Sequence, residues 1–279
     1  IFDSQPAFDE GIKVAHWLKQ VAIVHEPLTR EALITLEPTL EPIRERLVGG
    51  IRYPSDEVGN ARLFCEQLRS VMKNMQVEFR FSEQVLRVDT RQRKIQGLVT
   101  ARETLRADCF VLAAGSHSPL LSKQMGFRLP IAPVKGYSLT VPVSEKTHVP
   151  RHPVIDEAIH AAVVPLGVDK LRVAGTAEFA GYDTHVRPER IANLHRLLRK
   201  VYPELPVDEG RVESWCGLRP MCADGRPVLG NSPLDNLYLN TGHGALGWTM
   251  ACGSGRALAD LITGATPEYD LTAFSYKRF

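Results

Sequence analysis

Six residues, Gly242-His243-Gly244-Ala245-Leu246-Gly247, match G-x-G-x-x-G letter for letter. The run NLYLNT (236–241) before them reads as a strand, and the residues from about Trp248 to Thr263 read as a helix. The glycines therefore sit where a dinucleotide-binding turn has them. A complete dinucleotide unit needs a second strand and an acidic residue roughly 20 residues further on. Only a short tail follows here, so position argues against that reading. Glycines also let the backbone come close to a flat ligand. The N–H groups and positive dipole end of the following helix then favour negative charge on that ligand. The plainer alternative is a strand–turn–helix whose glycines serve only tight packing. His243 is tempting as a base, but a lone histidine is more often structural.

Other reactive side chains form no recognisable set. Cys65, Cys109, Cys216, Cys222 and Cys252 are odd in number, contain no CxxC pair and fit no common zinc spacing. Reduced, buried thiols in a cytosolic protein are the expectation. Thirty-four basic residues against 32 acidic ones give a formal charge of +2, interspersed along 279 residues. That balance argues against a nucleic-acid binder, which would carry a dense basic stripe. No apolar run reaches membrane-spanning length. The opening IFDSQPAF has neither the pattern of a signal peptide nor an initiator Met, and points to a true N-terminus elsewhere.

The elements that would position the motif alternate in type. The first forty residues read as mainly helical, with Phe8, Ile12 and Ala15 on one face. A strand-like Ile51–Tyr53 follows Gly49-Gly50. Phe64, Leu68, Val71 and Met75 mark a helix from Asn60. VEFRF (77–81), VLRVD (85–89), KIQGLVT (94–100) and TLRAD (104–108) read as short strands. CFVLAAG (109–115) is a continuous apolar run, as expected of a strand buried on both faces of a parallel sheet. Ser118 as N-cap and Pro119 at the first helical position open a helix that Gly126 ends. YSLTVPV (137–143) and the pair HAAVVPL and KLRVAG read as antiparallel strands, and Ile191, Leu194, Leu198 and Val201 mark another helix. The expected architecture is mixed α/β, with parallel-sheet pieces interleaved with an antiparallel β region.

Three stretches, VLAAGSHSPLL (111–121), PVKGYSLTVPV (133–143) and GLRPMCADGRPVLG…NLYLNTGHGALGWTMACGSGRALADLI (217–262), resemble the FAD-dependent D-amino-acid dehydrogenases of the D-amino-acid oxidase and glycine oxidase superfamily. GGIRYPSDEVGNARLFCEQL (49–68) and VAGTAEFAGYD (173–183) agree with them. The resemblance runs in order over essentially the whole chain. It covers roughly the C-terminal two-thirds of such a protein and lacks the N-terminal dinucleotide-binding strand–turn–helix that would hold the ADP half of FAD. It implies an incomplete FAD-binding domain at 52–126 and 217–279, and a substrate domain at 1–51 and 127–216.

The resemblance also implies roles. Arg219 would hold a substrate carboxylate bidentately; without the resemblance it reads as a surface arginine before Pro220. Gly242, His243, Gly244, Gly247, Trp248 and Thr249 would line the isoalloxazine, mainly through backbone N–H groups, and the Ala245 carbonyl would receive the substrate amine. Thr249 is equally a plain first-turn helix residue. Ala114 and Gly115 would end a strand beside the cofactor. Val85 would touch adenine through its backbone, or is simply a strand core residue. Tyr137 would line the pocket, against the plainer reading of a strand aromatic. Relatives carry tyrosines where this chain has Ile159, His160, Ala161 and Ala162, which suggests a more open pocket. Glu178 and Asp183 receive no role, solvated carboxylates being the default.

The activity so implied is oxidative deamination of D-amino acids to 2-oxo acids and ammonia, with electrons passed to a quinone-linked respiratory acceptor. The expected location is cytoplasmic, peripheral at an inner membrane. Two other readings stand beside it: a glycine or sarcosine oxidase-like flavoenzyme that uses oxygen, and a truncated, non-catalytic chain.

Overall fold

The computed structural model describes residues 1–143, 149–159 and 161–279. Helix α1 (Gln5–Leu18) carries Pro6 in its first turn, where no backbone donor is lost, and buries Ala15 completely. Strand β1 (Glu26–Thr29) leads into α2 (Arg30–Leu36), where Thr29 Oγ1 accepts from the Ala32 N–H at 3.3 Å and caps the first turn. Strand β2 (Gly49–Arg52) pairs antiparallel with β1. Helix α3 (Ala61–Asn74) follows, with Asn60 Oδ1 accepting from the Leu63 N–H at 3.2 Å. Strands β3 (Arg87–Arg91), β4 (Lys94–Val99) and β5 (Thr104–Leu105) make a small antiparallel sheet. Next come β6 (Phe110–Leu112), α4 (Ser118–Gln124), β7 (Ile131–Pro142), β8 (Val154–Asp156), β9 (Ala161–Pro165) and β10 (Lys170–Glu178). The chain ends with α5 (Pro188–Val201), β11 (Glu213–Cys222), β12 (Val228–Asn231), β13 (Leu237–Thr241) and α6 (Gly247–Thr263), apart from short 3-10 turns.

These elements divide into two compact units, each made of discontinuous segments. The first comprises Ile1–Phe64, Gly136–Ala177 and Thr184–Gly217; the second comprises Cys65–Lys135, Glu178–Asp183 and Leu218–Phe279. The divisions fall at 64/65, 135/136 and 217/218, and the short segment 178–183 joins the second unit.

The first unit is organised by a five-stranded sheet in the order β11-β7-β10-β9-β8. Strands β9 and β10 form the antiparallel hairpin expected from HAAVVPL and KLRVAG, with Val173 opposite Val163 and Gly167 at φ +75 in the turn. Alternation drives Leu139, Val141, Val163, Leu171 and Val173 to one buried face, where the Leu194–Leu198–Val201 stripe of α5 completes the core. Tyr137 belongs to this core at 1% exposure. His160 lies outside the described residues, as does the Ala161 side chain, so the open-pocket expectation at 159–162 goes untested.

The second unit holds a three-stranded sheet, β12-β13-β6, in which β6 runs parallel to β13. Phe110 and Leu112 are buried but Val111 is 44% exposed. β6 is thus an edge strand with one covered face, not the doubly buried strand its apolar run suggests. Nor is 77–81 a strand. Its alternation puts Phe79 and Phe81 on one side, where the rings stack at 5.9 Å, but no strand pairs with it among the described residues. The helix at 118 begins one residue earlier than expected, so Ser118 lies inside it and makes no cap; its hydroxyl is used elsewhere. Gly126 stands just past the helix end at φ +85, the left-handed geometry that suits glycine.

Candidate active site

All the proposed site residues except Tyr137 lie in the second unit, and hydrogen bonds between side chains and backbone draw most of them together. The parallel strands β6 and β13 both end in turns at their C-terminal ends, the side of a parallel sheet where ligands commonly sit. After β6 the chain turns at Ala114 and at Gly115, which has φ +54. After β13 it turns at Gly242 (φ +79) and Gly244 (φ +56) before α6 begins. Thr241, 1% exposed, ties the two turns: its hydroxyl donates to the Gly115 carbonyl at 3.2 Å. Its oxygen also lies 2.8 Å from the buried Ser118 hydroxyl, so Ser118 donates to Thr241 in turn.

Arg219 enters through β11. Met221, two residues on, makes an isolated antiparallel bridge with His243 inside the glycine turn. Ser116, 4% exposed, donates from its hydroxyl to the Leu218 carbonyl at 3.1 Å, on the peptide that leads into Arg219. The arginine is half-buried, and burial lowers its pKa from the ordinary value. A guanidinium stays cationic under such a shift. A partly desolvated fixed cation suits a carboxylate far better than a fully solvated one does.

His243 is held as a structural residue. Its Nε2 lies 2.9 Å from the buried Ser254 hydroxyl of α6, and burial lowers its pKa. That tether joins the turn to the helix. Ala245, Leu246, Trp248 and Thr249 are exposed on the turn and first turn of α6. An added Cβ at Gly115 would meet nothing within 4 Å, so the backbone there is open to a ligand. Open backbone at Gly115, an exposed α6 N-terminus and a cation on the neighbouring strand β11 together favour a group that carries negative charge. Val85, in the stretch before β3 and outside any strand, packs partly buried against the core of the second unit.

Sequence reasoning missed Thr241, Ser116, Ser118 and Met221, which carry the ties. Hydroxyl residues at strand ends give no periodic signal; only their nearness to the glycine turns could have singled them out. Of the five cysteines only Cys216 and Cys222 are buried, against the expectation that all were, and no group of residues able to hold a metal exists among those described. A surface groove of about 460 Å³ elsewhere in this unit is lined by Arg93, Asn231, Leu271, Tyr276 and Lys277 among others, and by none of the site residues. No described helix is long and apolar enough to cross a membrane.

Comparison with known proteins follows the same lines. Residues 3–261 match the family described as FAD dependent oxidoreductase. The chain is 43% identical over 279 residues to the D-amino acid dehydrogenase of Granulibacter bethesdensis, covering all of this chain and 66% of that protein. It is 45% identical over 263 residues to that of Methylobacterium sp. strain 4-46, covering 94% of this chain and 62% of the other. The chain therefore spans less than two thirds of the length of these relatives. Among solved structures it superposes on glycine oxidase from Geobacillus kaustophilus with a TM-score of 0.89 at 22% identity, covering 100% of this chain and 74% of that one. It superposes on L-proline dehydrogenase from P. horikoshii with a TM-score of 0.87 at 17% identity, covering 100% and 75%. These likenesses establish a shared mixed α/β fold.

Proposed function

This chain belongs to the FAD dependent oxidoreductase family, and on that premise we propose that it carries the flavin-edge and substrate-orienting part of a D-amino acid dehydrogenase. The observation that carries the reading is the set of ties, through Thr241, Ser116 and the Met221–His243 bridge, that gathers Arg219, Gly115 and the glycine turn around one open backbone edge. FAD, when bound, supplies the acceptor for the hydride leaving the substrate Cα. The protein residues orient. Arg219 takes the carboxylate in a two-pronged grip and so fixes which face of Cα is presented. The Ala245 carbonyl accepts from the substrate amine. Backbone N–H groups of the turn and of the α6 N-terminus, with Thr249 beside them, would hold the flavin's ring edge and favour negative charge there. No side chain needs to act as a strong base when the amine binds neutral, in keeping with a tethered, low-pKa His243.

The product is an imino acid that water converts to a 2-oxo acid and ammonia. Electrons then pass to a quinone-linked acceptor, with the protein peripheral at the inner face of a membrane. The exposed apolar face of α3 supports a further reading: sequence beyond these 279 residues packs there and completes the site for the adenosine side of FAD. The test is anaerobic addition of D-alanine to the full-length, flavin-loaded protein. Bleaching of the visible flavin band without peroxide on readmission of air is expected. No bleaching would overturn the reading, and stoichiometric peroxide would favour the oxygen-using oxidase instead.

A further inference from the structure

We infer that Ser116 is a positioning residue for Arg219, backed by a brace formed from Lys135, Tyr182 and Asp183. This rests on the reading of Arg219 as the carboxylate-holding residue.

Ser116 is held from two sides by different atoms. Its hydroxyl donates to the Leu218 carbonyl at 3.1 Å, and its own carbonyl accepts from the Tyr182 hydroxyl at 3.0 Å. Because a peptide unit is planar, holding the Leu218 carbonyl also holds the amide N–H of Arg219 and limits how far the backbone that carries the arginine can shift. Ser116 thus ties the backbone that carries Arg219 to the turn at Ala114 and Gly115.

The other side of Ser116 is a small, well-anchored segment. Glu178–Asp183 is a six-residue insert of the second unit with no element of its own beyond the last residue of β10. Contacts from Asp183 and Tyr182 anchor it. The Lys135 ammonium, 0% exposed, sits 3.0 Å from Asp183 Oδ2. Tyr182 lies against His117, with ring centroids 5.3 Å apart, while its hydroxyl reaches Ser116. A lysine buried this completely is tolerated only with a partner, and loss of that partner leaves a stranded charge. Lys135 and Asp183 stand at the ends of their segments of the second unit, so the pair fastens the insert at its end. The carboxylate left without a role by sequence reasoning thereby acquires one.

The experiment uses the full-length, flavin-loaded protein and its Ser116→Ala and Tyr182→Phe variants. Propionate, a carboxylate that cannot be oxidised at this site, is titrated against the flavin absorbance to give Kd. D-alanine and D-alaninamide, which lacks the carboxylate, are compared as substrates. Loss of one positioning hydrogen bond is expected to weaken propionate about fivefold in Ser116→Ala. A smaller change in the same direction is expected for Tyr182→Phe, with the preference for D-alanine over D-alaninamide reduced. A purely structural role would lower both substrates alike. In the 279-residue chain without flavin, amide exchange should accelerate at Leu218 and Arg219 and not across the unit. Unchanged propionate Kd and exchange in Ser116→Ala would overturn the inference. Should Ser116→Ala not fold, Tyr182→Phe carries the test, because that residue is 40% exposed. If the unsubstituted protein itself binds no propionate, the reading of Arg219 fails first and the positioning role falls with it.

Discussion

The two units bury apolar surface in different ways. In the first, the sheet and α5 close on each other, and Leu139, Val163, Leu171, Val173 and Leu194 are all at 0% exposure. The second also has a dry centre, with Val228 and Leu239 at 0%, but its periphery is open. Val111 on the edge strand is 44% exposed, and α3, most of which lies in this unit, has no buried residue despite an apolar stripe. Leu68, Val71 and Met75 stand 44%, 54% and 71% exposed. The same helical spacing that makes α5 a core element leaves α3 uncovered. Periodicity says which way a side chain faces; it does not say what meets it there.

The sharpest way to break this comparison is to cut into each unit in turn. Leu171→Ala, in the closed core, should lower unfolding free energy by about 2–5 kcal/mol, read from urea denaturation of this chain. A loss below ~1 kcal/mol would mean the first unit is less closed than its burial indicates.

A middle-sized effect is expected at the tether inside the second unit. Burial lowers the His243 pKa in the folded state, so the unfolded chain takes up the proton first as pH falls. Its contribution is therefore intact above the ordinary histidine range and is lost as pH drops through about 6.5 toward the lower folded value. His243→Gln should flatten the fall in Tm between pH 7.5 and pH 5. An identical pH slope in the variant would remove His243 from the account.

The smallest effect belongs to α3. Leu68→Gln in this chain should change stability by less than about 0.5 kcal/mol and reduce binding of an apolar dye. A loss comparable to that of Leu171→Ala would show that the helix face is covered in solution.

Much of the fold was legible because its signals are local and repetitive. The β9–β10 hairpin, the α5 stripe, the strand–turn–helix around Gly242 and the interleaving of two kinds of sheet all follow from alternation, turn glycines and helical spacing. What failed was context. The run 77–81 alternates correctly yet finds no pairing partner, and the apolar CFVLAAG run ends up on a sheet edge. In the site, Arg219 and the glycine turn were visible as motifs, whereas Thr241 and Ser116 do their work across more than 100 residues of sequence, through contacts to Gly115 and Leu218. Such pairs exist only once the chain has folded. Tyr137 is buried in the core of the first unit, a placement that its strand context alone did not decide.

The most direct test of the central claim is the affinity of the full-length, flavin-loaded protein for propionate with Arg219 intact and with Arg219→Met. Removing the charged partner of a carboxylate should cost about 2–5 kcal/mol, a loss of ~30-fold or more in Kd, while the flavin stays bound. Equal propionate affinity in the two proteins would contradict the assignment of Arg219 and, with it, the site built around the turn at Gly242.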